Sequence, residues 1–118
     1  MTQVSDGADV VRGFFLAHAE GRLEDMLALV HPSMLWQPLT PLPRTFYSGH
    51  DGTLALFLDM QAVMGPFRCE LDEVRELPRG HVYVRGRVAM DSGDEQPFET
   101  WVEVEDGRVA RQRSEPAE

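Results

Sequence analysis

The run AVMGPFR, Ala62 to Arg68, is where the period of this chain changes from that of a helix to that of a strand. Glycine favours the left-handed backbone that ends helices, and proline brings no N–H to a ladder, so Gly65-Pro66 is a stop. Before it apolar residues recur every three or four positions; beyond it they alternate. Strands that all follow the helices suit an α+β domain, a cone-shaped mixed or antiparallel sheet curved around three N-terminal helices. One domain over residues 1–118 is expected, with an internal pocket.

Outward from the switch toward the C terminus, Phe67 to Leu77 reads as a strand and Pro78-Arg-Gly80 as a turn. His81 to Met90 is the clearest strand, with Val82, Val84, Gly86 and Val88 on one face and Tyr83, Arg85, Arg87 and Ala89 on the other. After a turn at 91–95, Gln96 to Glu105 places Phe98, Thr100, Val102 and Val104 opposite Glu99, Trp101, Glu103 and Glu105. Asp106-Gly107 is a hairpin signal leading into a last strand, Arg108 to Ser114. Strict alternation there turns Arg111 and Arg113 inward. A single bulge turns Gln112 and Ser114 inward instead, and is favoured because two buried arginines without acids would be costly.

Toward the N terminus, the first helix is expected to start at Ser5 or Asp6 and to end at Gly21, with Val11, Phe14, Phe15 and His18 on its inner stripe. A second, Leu23 to Val30, turns Leu23, Met26, Leu27 and Val30 inward, and His31-Pro32 closes it. Met34 to Gln37 is extended. Pro38, Pro41 and Pro43 make 38–47 a stiff loop suited to a rim or lid. Ser48 and Asp51 have capping-box spacing for a third helix to Met64. Only Asp59 and Gln61 are polar between Leu54 and Met64, so this helix is expected to be covered on more than one side.

Charge narrows the partners. The 118 residues carry a net charge of −9, and the eleven basic residues are all scattered arginines. Nucleic acid is not an expected partner, since most of the surface repels phosphate. Cys69 is the single cysteine, which fits a reducing cytoplasm. No stretch approaches the ~18 apolar residues a membrane span needs, and no leader pattern opens the chain.

The first helix ending at Glu20-Gly-Arg-Leu-Glu24, the apolar second helix into His31-Pro32, Met34-Leu-Trp-Gln-Pro38, Tyr47-Ser-Gly49 and the Asp106-Gly-Arg-Val109 hairpin together resemble the SnoaL-like group. That group belongs to the nuclear-transport-factor-two-like superfamily, with ketosteroid isomerases, limonene-epoxide hydrolases and scytalone dehydratases. The resemblance implies a cystatin-like α+β barrel, an apolar ligand and dimerisation through the outer sheet. It carries over no complete mechanism. The isomerase base falls on Gln37 or Pro38, its enolate-binding tyrosine on Phe14 and its late-strand acid near Thr100. The hydrolase positions fall on Gly86, Val88 and Ser114, and the cyclase acid and histidine have no counterpart in Arg111 to Ser114.

His18 is therefore the candidate acid or base, because an imidazole moves protons near neutrality without a large perturbation. Phe14, Trp36, Gln37, Tyr47, Phe57, Thr100 and Gln112 are the candidate ligand pocket, with Trp36 able to stack on a flat molecule. Tyr47 is expected at the rim, more as a surface phenol than a ligand donor, and Asp59 on a solvated edge. One cysteine and no H-x-x-x-H argue against a metal site, and no motif calls for a cofactor. Tyr83, Arg85 and Trp101 mark an outer sheet face suited to a homodimer. Two functions follow: a proton-transfer enzyme, whether cyclase, isomerase or dehydratase, acting on a small hydrophobic or polyketide-like molecule, or a non-catalytic binding or regulatory module that lost the family's acids.

Overall fold

A six-stranded sheet bends over three helices in a computed structural model that describes residues 7–38 and 42–116. In chain order these are α1 (Gly7–Ala19), α2 (Leu23–Ala28), β1 (Val30–Gln37), β2 (Tyr47–Ser48), α3 (Gly49–Met64), β3 (Phe67–Glu76), β4 (His81–Met90), β5 (Glu95–Glu105) and β6 (Arg108–Pro116). The strand order is β2-β1-β6-β5-β4-β3. Among the described residues only the β1–β6 pair is parallel, so the sheet is mixed.

Bulges supply the curvature. The register slips between Leu71 and Glu73 on β3 and between Glu103 and Val104 on β5, and each slip bends the sheet and steepens its twist. Gly86 faces the first slip. A Cβ there would lie 2.3 Å from the Glu70 carbonyl oxygen and 3.2 Å from the Phe98 ring, so only glycine lets the strands close in. The second slip resolves the last strand: Val104 still pairs with Val109, but Val102 pairs with Gln112 and Thr100 with Ser114. Arg111 and Arg113 are exposed, Arg111 beside Glu103 and Arg113 over the Trp101 ring.

Several local expectations give way to tertiary contacts. The second helix stops at Ala28, and Val30 to Pro32 belong to β1, because Val109 donates its N–H to the Leu29 carbonyl and Val30 pairs with Val109. Leu23 is half exposed rather than inward. Ser5 and Asp6 lie outside the described residues; within them, the Ala8 N–H at the start of α1 donates to Glu76 Oε1 from the end of β3. At the other end Arg22 N donates to Ala17 O and Gly21 N to His18 O, with Gly21 left-handed, as a Schellman close requires. The capping box does not form: Ser48 makes no side-chain cap bond. Thr53 Oγ1 instead donates to the Gly49 carbonyl, and His50 Nε2 meets the Val30 carbonyl at 2.7 Å.

The third helix is also less covered than its composition demands. It packs on β1 and β2, burying Gly52, Thr53 and Leu56, while Leu58 is 67% and Val63 59% exposed. The cause is geometric: the sheet curls under one face of α3, and α1 and α2 do not close over the other. Of the proline-rich loop, residues 39–41 lie outside the described part, so its role as a lid does too.

Candidate functional site

Between α3 and the concave face of β4, β5 and β6 lies a cavity of about 600 Å³ of atom-free space, counting solvent at its mouth. About 70 Å³ of it can hold the centre of a water molecule. One water needs roughly 10–15 Å³ on that measure, so there is room for an aromatic ring. Apolar walls come from Phe15, Trp36, Leu56, Phe57, Met60, Met64, Val88 and Phe98. Leu56, Met60 and Met64 recur every fourth residue on α3. That spacing is legible in the sequence and points to them as well as to Phe57.

One end of the cavity is polar. Thr100, Gln112 and Ser114 share it because the β5–β6 register puts them side by side. Gln112 Nε2 donates to Thr100 Oγ1 and to Ser114 Oγ, Ser114 Oγ donates to Thr100 Oγ1, and Thr100 donates to the Arg113 carbonyl. The backbone N–H of Gln37 donates to Gln112 Oε1 at 3.3 Å, which fixes which way the amide faces. With every donor in the cluster used, only lone pairs remain, one on Ser114 Oγ and one on Gln112 Oε1. The patch is therefore built to accept a hydrogen bond.

Trp36 lies beside Gln112 in the parallel β1–β6 register. Its indole N–H is taken by Thr53 Oγ1 at 2.7 Å, so it offers a ligand a fixed ring and no donor. Among the described residues the lining holds no carboxylate and no histidine; its titratable group is Cys69, whose thiol burial pushes up to about 12 and keeps neutral.

The structure brings Trp36, Phe57, Thr100 and Gln112 together and places the other candidates elsewhere. Phe14 is fully buried behind Trp36 and Phe57, with centroids 5.4 and 6.1 Å away, and does not reach the cavity. The Gln37 side chain is exposed and does not line the cavity, as alternation with Trp36 requires. Tyr47 is 1% exposed rather than a rim phenol, and donates to Asp59 Oδ2 at 2.6 Å. Burial first, then this bond, raises the phenol's pKa.

His18 stands outside the cavity, in an open groove with Leu23, Met26, Leu54, Leu58 and Phe67. Its ring stacks on Phe57 at 4.1 Å, and its Nδ1 is buried without a hydrogen-bond partner. Burial holds its pKa below the usual imidazole value, so it is neutral at pH 7. A buried N–H without an acceptor is costlier than a bare lone pair, so the proton sits on Nε2. Among the described residues no three His, Cys, Asp or Glu side chains come together to hold a metal ion, and no helix is long and apolar enough to cross a membrane.

No curated protein matches the chain. A protein of unknown function with a cystatin-like fold from Xanthomonas campestris superposes with TM-score 0.81 at 18% identity, over 97% of this chain and 92% of that one. TerC, co-crystallised with polyporic acid, gives 0.80 at 19% identity over 96% and 92%. A Sinorhizobium meliloti protein provisionally described as a polyketide cyclase gives 0.75 at 17% over 90% and 93%. At such identities the likeness shows the fold alone. The family description of the SnoaL-like domain matches residues 11–112, from inside α1 to the Gln112 of the polar patch. The chain has the fold of proteins described as cystatin-like and NTF2-like, and it belongs to the SnoaL-like domain family.

Proposed function

We propose that this protein binds a small, flat, uncharged hydrophobic molecule in the cone, held between the Trp36 ring and the methionines of α3 with a hydroxyl donated to Gln112 and Ser114. The observation that carries the reading is the lining itself, walls that are apolar apart from the neutral Gln96 amide, closed at one end by a saturated neutral cluster. An ionised ligand would leave water for a site with no counter-charge, which strongly disfavours it. TerC, co-crystallised with polyporic acid, supports a small-molecule guest by analogy. The same proposal sets the chain in a reducing compartment such as the cytoplasm, as a homodimer through the outer sheet. To test binding, Trp36 emission is followed in a Trp101→Phe background while 4-phenylphenol is added. Saturable quenching is expected, and Gln112→Leu should weaken it about fivefold, the loss of roughly 1 kcal/mol from one hydrogen bond. Linear, unsaturable quenching would remove the reading.

A second reading, supported by the neutral imidazole of His18, is proton transfer of the cyclase, isomerase or dehydratase kind. Abstraction by Nε2 needs the Nδ1–H tautomer, so it requires the buried Nδ1 to gain an acceptor when substrate enters. His18→Ala distinguishes the readings once a substrate is found: turnover lost with affinity kept supports the enzyme, and no turnover in the parent supports the binding module.

A further inference from the structure

Phe57 belongs to both hollows. Its side chain lines the cavity and also the groove between α3 and the first two helices. The ring packs on four others, His18 at 4.1 Å, Phe14 at 6.1 Å, Trp36 at 6.2 Å and Phe67 at 6.4 Å, and such contacts are worth roughly 0.5–1.5 kcal/mol each. The groove itself is unfilled: Leu23 and Leu58 on its walls are 50% and 67% exposed, apolar surface that a folded protein ordinarily covers. Its polar side chains are the exposed Gln61 amide and a half-buried imidazole presenting Nε2–H, a donor, where the far end of the cavity presents acceptors.

We propose that cavity and groove are two halves of one ligand site, divided in the empty protein by the Phe57 ring, and that the site takes an elongated neutral aromatic molecule. Its inner hydroxyl donates to Gln112 and Ser114, and an outer oxygen accepts from His18 Nε2. This rests on the cavity being a binding site and adds the length and polarity of the ligand. Rotation of Phe57 joins the halves, and the guest's rings replace the stacking that Phe57 gives up. The apolar flanks at Leu23 and Leu58 are then covered by the guest rather than by another chain.

The probes are 4-phenylphenol and 4-hydroxy-4′-methoxybiphenyl, which share the inner hydroxyl and differ in the outer oxygen. Binding is read from Trp36 emission in the Trp101→Phe background and from the His18 imidazole resonances by NMR. The methoxy compound should bind at least fivefold more tightly, shift the His18 resonances, and lose that advantage in His18→Phe. Phe57→Ala should bring both probes on at least tenfold faster, with Phe57→Leu between it and the parent. Quenching of Trp36 with His18 unmoved and the two probes equal would overturn the joined site while leaving the cavity as a binding site. No saturable quenching by either probe would overturn both. A faster association in Phe57→Ala that is matched by Phe14→Leu would show loosened packing rather than a removed partition, and would also overturn it.

Discussion

At the scale of single residues, His18 on α1 carries a buried nitrogen without a hydrogen-bond partner. Stacked on Phe57 with one nitrogen buried and unpartnered, it resists protonation, whereas in the unfolded chain it titrates near the ordinary value of about 6.5. The unfolded state therefore binds more protons in the window just below that value, and stability rises with pH there. Lowering the pH from 7.5 to 5.5 should lower Tm more in the parent than in His18→Phe, read by thermal unfolding in matched buffers. Equal losses would mean the imidazole is not desolvated. Its place on the inner stripe of α1 was legible from the i, i+3, i+4, i+7 spacing. Its exclusion from the cavity was not, because that depends on the Phe57 ring carried by α3. The direction of Gln37 was likewise open until pairing with β6 showed which face of β1 carries Trp36.

At the scale of elements, the ends and bends are set by partners far away in sequence. Glu76 closes the N terminus of α1 across 68 residues. Glu76→Ala should cost about 1 kcal/mol in urea unfolding, the usual worth of a helix cap, and Glu76→Gln much less because its amide oxygen still accepts. Gly86 allows the close approach of β3, where a methyl group would meet the Glu70 carbonyl. Gly86→Ala should destabilise by roughly 2–3 kcal/mol through overpacking, with no compensating gain, since the strand must bend at that point. A loss under half of that in the same unfolding experiment would show that the sheet can flatten there. Element types and most boundaries were visible from hydrophobic period and from the Gly-Pro and Asp-Gly breaks. The end of α2 was not: Val30 continues a helical pattern, and only pairing with Val109 draws it into a strand.

At the scale of the whole molecule, the sheet has two faces with different uses. Inside it closes the cone. Outside, Tyr83 and Trp101 sit 5.6 Å apart with Arg75 over one ring and Arg113 over the other, and Tyr83 donates to Glu99. If this face joins two copies, Trp101→Glu should convert a dimer to a monomer in sedimentation equilibrium with Tm read alongside to confirm folding; an unchanged mass would assign the face to solvent. By itself the sequence determined the layers and the faces of the two strands from His81 to Glu105, because hydrophobic period and residue chemistry are local properties. Only the tertiary structure decided which polar groups meet, that Phe57 divides the hollow and that His18 stands outside it. Those outcomes depend on register slips and on how far α3 stands from α1, and both are settled by packing between segments that no local pattern records.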